Sequence, residues 1–357
     1  MIVYLLPAFL GLSFILTFFD LTNISQRERK ILFLFQCCFV LFIITFRDGI
    51  GYDYYSYIDI YEYTPPITAW VTQWGNLFSG RLAFIELGYL VVNGIIKSIF
   101  DTYIIVFFAM GTISYYVYYK SFPEMTKYIF STYLVYIATV FFYKDMGQIR
   151  HGVAMALSLY SIQFLLSKNN KKFIIYNTLA LLFHKAILPV YILLFLKNFR
   201  WKRWSAFGAL AISIVLYNVD IGGYLLNYLG NFSIFIDKTE SVLNNGTDGL
   251  INIERFLFPV CIAFISIIFL DNGTQKFKYY NIELTMLLIG IGIMAVFNGY
   301  KEFGQRLSAG LVISEALLLP QICLSVPKDI LGKIIGWIVI LVLCGIYIFH
   351  TLQMFPM

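Results

Sequence analysis

The sequence predicts an all-α polytopic membrane protein of about 12 transmembrane helices, with further amphipathic or re-entrant helices on the outer side. Three observations carry this prediction. Hydrophobic residues make up 60% of the chain and charged residues 13%, with a mean hydropathy of +0.77, which excludes an ordinary soluble domain. Apolar runs of roughly 16–20 residues recur from end to end, close to what a helix needs to cross a ~30 Å hydrocarbon core. Basic residues gather in alternate connections between those runs. The chain is therefore expected to form a single integral-membrane domain over 1–357.

In chain order the candidate spans are 2–19, 31–46, 102–119, 127–143, 149–167, 173–184, 186–196, 204–221, 253–270, 282–299, 306–325 and 331–349. The first lacks a basic n-region and a small-residue cleavage site, so it reads as a span and not a signal peptide. The basic clusters are Arg27, Arg29 and Lys30; Lys120 and Lys127; Lys168, Lys171 and Lys172; Lys197, Arg200, Lys202 and Arg203; Lys276 and Lys278; Lys328 and Lys333. By the positive-inside rule these face the cytoplasm, and the other connections and both termini face outward. The long outer connections are 47–101 and 222–252.

Two segments are decided by parity. A full crossing by "RLAFIELGYLVVNGIIKSIF" (81–100) would send every later basic cluster to the outside. Its polar residues Glu86, Asn93 and Lys97 recur at intervals of 7 and 4, on one helix face, so it reads as an amphipathic helix lying at the outer surface or dipping back. The stretch 173–196 is flanked by basic residues on both sides and must cross an even number of times. Each half is about 18 Å of helix, shorter than the ~30 Å core, which predicts a tight or re-entrant hairpin with His184 and Lys185 at its apex.

With this topology the polar chemistry gathers on the outer side. "RDGIGYDYYSYIDIYEY" (47–63) supplies Arg47, Asp48, Asp53, Tyr57, Asp59 and Glu62, and "YKDMGQIRHG" (143–152) supplies Lys144, Asp145, Gln148, Arg150 and His151. "NGYKEFGQR" (298–306) adds Lys301, Glu302, Gln305 and Arg306. Arg47, Arg150 and Arg306 each sit at the end of an apolar run. Charges at such depth usually face a bundle interior or a cavity, and guanidinium groups bind phosphate oxygens bidentately. Tyrosine and tryptophan nearby suit sugar rings. The plainer readings are an interfacial aromatic belt, arginines that snorkel to head groups, and a core histidine at His184.

Residues 40–63 and 147–196 carry a resemblance. "FRDGIGYDYYSYIDIY" resembles the Arg…Gly-x-Asp-Tyr…Tyr segment of the EpsG/Wzy family of polysaccharide repeat-unit polymerases. "GQIRHG" followed by "ALLFHKA" resembles that family's Ile-Arg-Gln and Ala-x-x-Phe-His-Lys/Ser motifs, with Arg150 and His184 at the matching positions and His151 where glutamine is usual. The resemblance implies a GT-C-like glycosyltransferase of the bacterial inner membrane, working at the periplasmic or outer face. It would transfer a glycan from undecaprenyl diphosphate to a sugar hydroxyl of another lipid-linked repeat unit, making O-antigen, capsule or exopolysaccharide. A chain-length regulator and a flippase would be its partners.

For that reaction Arg150 and Arg306, with Arg47, are the candidates to stabilise the leaving diphosphate, and Tyr57, Gln148 and His151 complete the candidate binding residues. His184 and Asp53 are the candidates for the proton acceptor. His184 is favoured as base because burial disfavours a charged imidazole, and Asp53 is favoured for orienting the acceptor sugar. No Asp-x-Asp motif or His/Cys cluster occurs, so no metal or cofactor is expected, although Asp48, Asp53 and Asp59 are conceivable Mg²⁺ ligands. The five cysteines lie in apolar runs without metal or disulfide spacing. A net charge of +6 makes no case for nucleic acid. The competing readings are a lipid-linked oligosaccharide flippase and a polymer ligase. The absence of an internal repeat and the one-sided polar residues weigh against the flippase.

Overall fold

The computed structural model describes residues 2–219, 221–230, 250–327 and 329–354. Among them the secondary structure is helical, with no strand. Each predicted span coincides with a helix or a broken pair of helices. Among the described residues two helices, Ile149–Leu166 and Ile330–Met354, are by themselves long and apolar enough to cross a membrane. Two further pairs reach that standard as bent units: Ile253–Ile268 with Leu270–Lys276, bent by 81°, and Lys301–Val312 with Glu315–Ser325, bent by 48°. The predicted connection 222–252 begins as helix, Ile221–Gly230, and its stretch 231–249 lies outside the described residues.

The chain divides into two compact units, Met1–Ile187 with Cys323–Met357, and Leu188–Ile322. In the first, the helix Ile149–Leu166 packs between Ile104–Met125 and Asn170–Leu181, and Ile104–Met125 packs in turn on Gln26–Thr45. The last of these starts on a capping box: Ser25 Oγ accepts the Glu28 N–H and Glu28 Oε2 accepts the Ser25 N–H, at 3.2 and 2.7 Å. Aromatic residues fill the core. Phe33, Phe122, Tyr118, Tyr133 and Tyr136 are fully buried, with Tyr133 against Phe33 at 5.4 Å and Tyr118 against Tyr136 at 4.8 Å. Ile330–Met354 lies on the outside of this unit, with only 11% of its most apolar window buried, as suits a lipid-facing helix. In the second unit Tyr280–Val296 is the central helix, packed by Arg203–Leu216, Ile253–Ile268 and Lys301–Val312.

Three local features of the first unit prepare its polar cluster. The helix Ile129–Tyr136 continues as a π-helix, Ile137–Gly147, an irregularity that often marks functional positions and here delivers Lys144 and Asp145 just ahead of Arg150. The following helix packs onto its end at Gly152, where any Cβ would strike Asp145 Oδ1. The helix Leu87–Lys97 does not show its polar stripe to water: Glu86 and Asn93 are buried and Lys97 is half-buried. The reason is that these groups have internal work. Asn93 Nδ2 donates to the Tyr89 carbonyl at 2.8 Å, and Lys97 Nζ donates to the carbonyls of Tyr61 and Glu62 at 2.9 and 2.6 Å, closing the C-terminus of the Tyr54–Tyr63 helix. On that helix Tyr54, Tyr57 and Tyr61 share the buried face, while Tyr55 and Tyr63 are exposed.

Candidate active site

Arg47 lies two residues beyond the end of the helix Gln26–Thr45 and is fully buried. It leads a tight turn in which the Ile50 N–H donates to its carbonyl at 2.7 Å. Its Nη1 donates to the backbone carbonyls of Met146 and, at 3.3 Å, of Asp145. Aromatic rings enclose the guanidinium: Phe107 at 4.4 Å, Tyr54 at 5.7 Å and Tyr57 at 6.0 Å. Burial pushes the Tyr54 hydroxyl up to about 12 and that of Tyr57 upward, so neither supplies a phenolate counter-ion at neutral pH. Nε and Nη2 of Arg47 find no acceptor among the described residues. Leaving charged donors unsatisfied in this way costs about 1–3 kcal/mol or more per group, so they are groups ready for an anion.

Tyr57 joins Arg47 to Arg150, whose guanidinium lies 5.9 Å from the same ring and 5.7 Å from that of Tyr89. Arg150 stands in the first turn of Ile149–Leu166 and pairs through Nη1 with Glu86 Oε2. The other oxygen of Glu86 faces the Lys185 N–H at 3.5 Å. The Gly88 N–H donates to the Leu182 carbonyl at 2.7 Å, which fastens the start of Leu87–Lys97 to the turn that holds His184. Glu86 thus bridges an arginine and a backbone turn 99 residues away from it.

His151 and His184 stack face to face, with ring centroids 4.2 Å apart and planes 8° from parallel. His151 is fully buried and His184 half-buried. Lys144 Nζ lies 3.1 Å from His151 Nδ1 and donates to Gln148 Oε1 at 2.8 Å. The Ala186 N–H donates to His184 Nδ1 at 3.2 Å. Asp53 is half-buried at the start of Tyr54–Tyr63, close enough to act electrostatically on Arg47 and Tyr57.

Arg47, Asp53, Tyr57, Gln148, Arg150, His151 and His184 therefore stand in one connected cluster within the first unit. Arg306 belongs to the second unit. It is exposed on the Lys301–Val312 helix and pairs with Glu302 at 2.7 Å, four residues before it. Asp59 pairs with Arg81 at 3.0 Å on the surface. Among the described residues no three His, Cys, Asp or Glu side chains form a group able to hold a metal.

Three residues of the cluster are named in the sequence reading but given no role in the site there: Glu86, Lys144 and Asp145. Glu86 had a signal, its place on a helix face with Asn93 and Lys97, but its partner lies 64 residues away. Asp145 is buried, and its Oδ2 accepts the hydroxyls of Tyr115 and Tyr136, each at 2.5 Å, while Oδ1 has no partner among the described residues. Asp145→Ala leaves both hydroxyls without their acceptor. It is expected to cost about 2–6 kcal/mol, at about 1–3 kcal/mol for each of the two unsatisfied hydroxyls, whereas Asp145→Asn retains an acceptor oxygen and costs less. Thermal unfolding in detergent would read the difference, and equal midpoints for the two variants would sink this account.

Apolar helices around a buried arginine cluster with tyrosine walls define a helical membrane protein with a site suited to an anionic, ring-bearing ligand. The sequence matches the EpsG family across residues 30–356, nearly the whole chain, and the protein belongs to that family. No curated protein and no solved structure gives a significant match.

Proposed function

We propose that this protein is an oligosaccharide repeat-unit polymerase of the bacterial inner membrane, with its active site at the periplasmic or outer face. It transfers a glycan from undecaprenyl diphosphate to a sugar hydroxyl of a second lipid-linked repeat unit. The observation that carries the reading is Arg47: a fully buried guanidinium, ringed by Phe107, Tyr54 and Tyr57, with two nitrogens that have no acceptor among the described residues. A diphosphate is the dianionic acceptor such a group fits, and Arg150 shares its aromatic wall. Family membership supports the same chemistry.

In this reading charge grows on the diphosphate as the bond to the anomeric carbon breaks, and preorganised donors stabilise it where it develops. Arg47 and Arg150 supply that field. Tyr57 offers a face for a sugar ring, and Gln148 and His151 hold the polar edge through Lys144. The attacking hydroxyl must lose a proton, and Asp53 and His184 are the two groups at hand. The twelve apolar runs and the broken helix pairs support a GT-C-like bundle. A chain-length regulator and a flippase are the proposed partners.

The test uses the purified protein in lipid with synthetic undecaprenyl-diphosphate repeat units and EDTA, and reads product length on a gel. A ladder of polymer is expected, with EDTA having no effect. Translocation of labelled lipid without any ladder would replace this reading by a flippase. Transfer of preformed polymer to a foreign acceptor, without chain growth, would replace it by a ligase.

A further inference from the structure

The cluster contains two histidines, and the hydrogen bonds around them fix which nitrogen carries the proton. His184 directly precedes the 3₁₀ helix Lys185–Ile192. The Ala186 N–H, in the first turn of that helix, is one of the donors a helix start leaves without a carbonyl partner. It donates to His184 Nδ1 at 3.2 Å, so this side chain caps the helix. An imidazole nitrogen that accepts an N–H holds a lone pair and no proton. Neutral His184 therefore carries its proton on Nε2. Taking up a second proton would place an N–H at Nδ1 against the Ala186 N–H.

His151 is held the same way. Lys144 Nζ lies 3.1 Å from His151 Nδ1, and a protonated lysine, which has donors and no acceptor, makes this nitrogen the lone-pair one too. The parallel stack at 4.2 Å fixes the plane of His184 on a ring that is itself fully buried. Charged groups around the pair are arranged consistently. Lys144 faces His151, Glu86 faces the Lys185 N–H beside His184, and Arg150 neutralises Glu86 from the other side.

We propose that His184 is a hydrogen-bond donor to the departing diphosphate, through Nε2–H, and that Asp53 is the base. This rests on the polymerase reading given above. In the step, the acceptor sugar's oxygen bonds to the anomeric carbon as its O–H breaks and the proton passes to the Asp53 carboxylate. The bond from the anomeric carbon to the diphosphate oxygen breaks, and its electron pair leaves with undecaprenyl diphosphate. His184 gives that oxygen a hydrogen bond and keeps its proton, and Asp53 later releases the proton to water.

The test compares His184→Gln and His184→Ala in the lipid-reconstituted protein with the undecaprenyl-diphosphate repeat unit. A glutamine amide can donate from near the Nε2 position and cannot act as a base. His184→Gln is expected to stay within about tenfold of the parent turnover with an unchanged acid limb in its pH profile, while His184→Ala falls by about 10²–10³-fold. A glutamine variant as inactive as the alanine variant, in a parent that makes a full ladder, overturns the donor role and leaves the polymerase reading standing. A parent without any ladder is failure of the polymerase reading itself. A second measurement is independent of activity. The chain has three histidines, so ¹⁵N-histidine spectra are simple to assign with the His184 variants. They are expected to show His184 with an unprotonated Nδ1 and a protonated Nε2, and the opposite tautomer overturns the proposal.

Discussion

Arg150→Ala is expected to lower polymer formation by about 10²–10³-fold, the loss of about 2.7–4 kcal/mol that follows removal of one preorganised donor from a developing oxyanion. In the proposed reaction the effect falls on turnover more than on substrate affinity, because the charge Arg150 would stabilise is largest in the transition state. A second consequence is structural. Arg150 is the partner of Glu86, whose side chain is 7% exposed, and removing one member of a buried pair strands the other at a cost of about 3–5 kcal/mol. The double variant Arg150→Ala/Glu86→Ala separates the two effects: it is expected to regain thermal stability in detergent and to remain without polymer. Arg150→Lys keeps the charge and loses the planar fork, so it should fall between parent and alanine. Parent-like turnover in Arg150→Ala, in properly folded protein, would remove Arg150 from the site.

Gly51→Ala is expected to be nearly as damaging, though it removes no functional group. Gly51 has φ +117°, a backbone conformation L side chains rarely adopt, and a Cβ there would run into the Met146 carbonyl. The strain alone costs about 1–3 kcal/mol. The clash cannot be relieved by turning a side chain, because the obstacle is backbone. It is also the carbonyl that takes Arg47 Nη1. Either the turn at 47–53 or the end of the π-helix has to move, and Arg47 moves with it. The expected result is a lower melting midpoint in detergent together with a loss of polymer from the protein that remains folded. A variant with parent-like stability and product length would show that the turn is not what holds Arg47.

Arg150 and Arg47 show how far the sequence could be read. Arg150 was visible because an arginine opening a long apolar helix needs an explanation, and Arg47 because one closes an apolar run. Their convergence on Tyr57 was not visible. It depends on the Tyr54–Tyr63 helix turning Tyr54, Tyr57 and Tyr61 to one buried face, and on Leu87–Lys97 packing its Glu86 end against the His184 turn. The amphipathic pattern of Leu87–Lys97 identified the residues but not what their polar face meets. A polar stripe faces water unless something inside meets it, and here an arginine, two backbone carbonyls and a turn do so.

The sequence by itself determined the helical membrane class, the positions of the apolar helices and the family, because hydropathy and local motifs are properties of short stretches of chain. It also marked most residues of the cluster by type. Only the tertiary structure decided which of them meet: Glu86 with Arg150, Asp145 with Tyr115 and Tyr136, and His151 with His184. It likewise decided which nitrogen of His184 is spent on Ala186. Contacts between residues distant in the chain, and the hydrogen bonds that select a tautomer, arise from packing across helices, which no local pattern encodes.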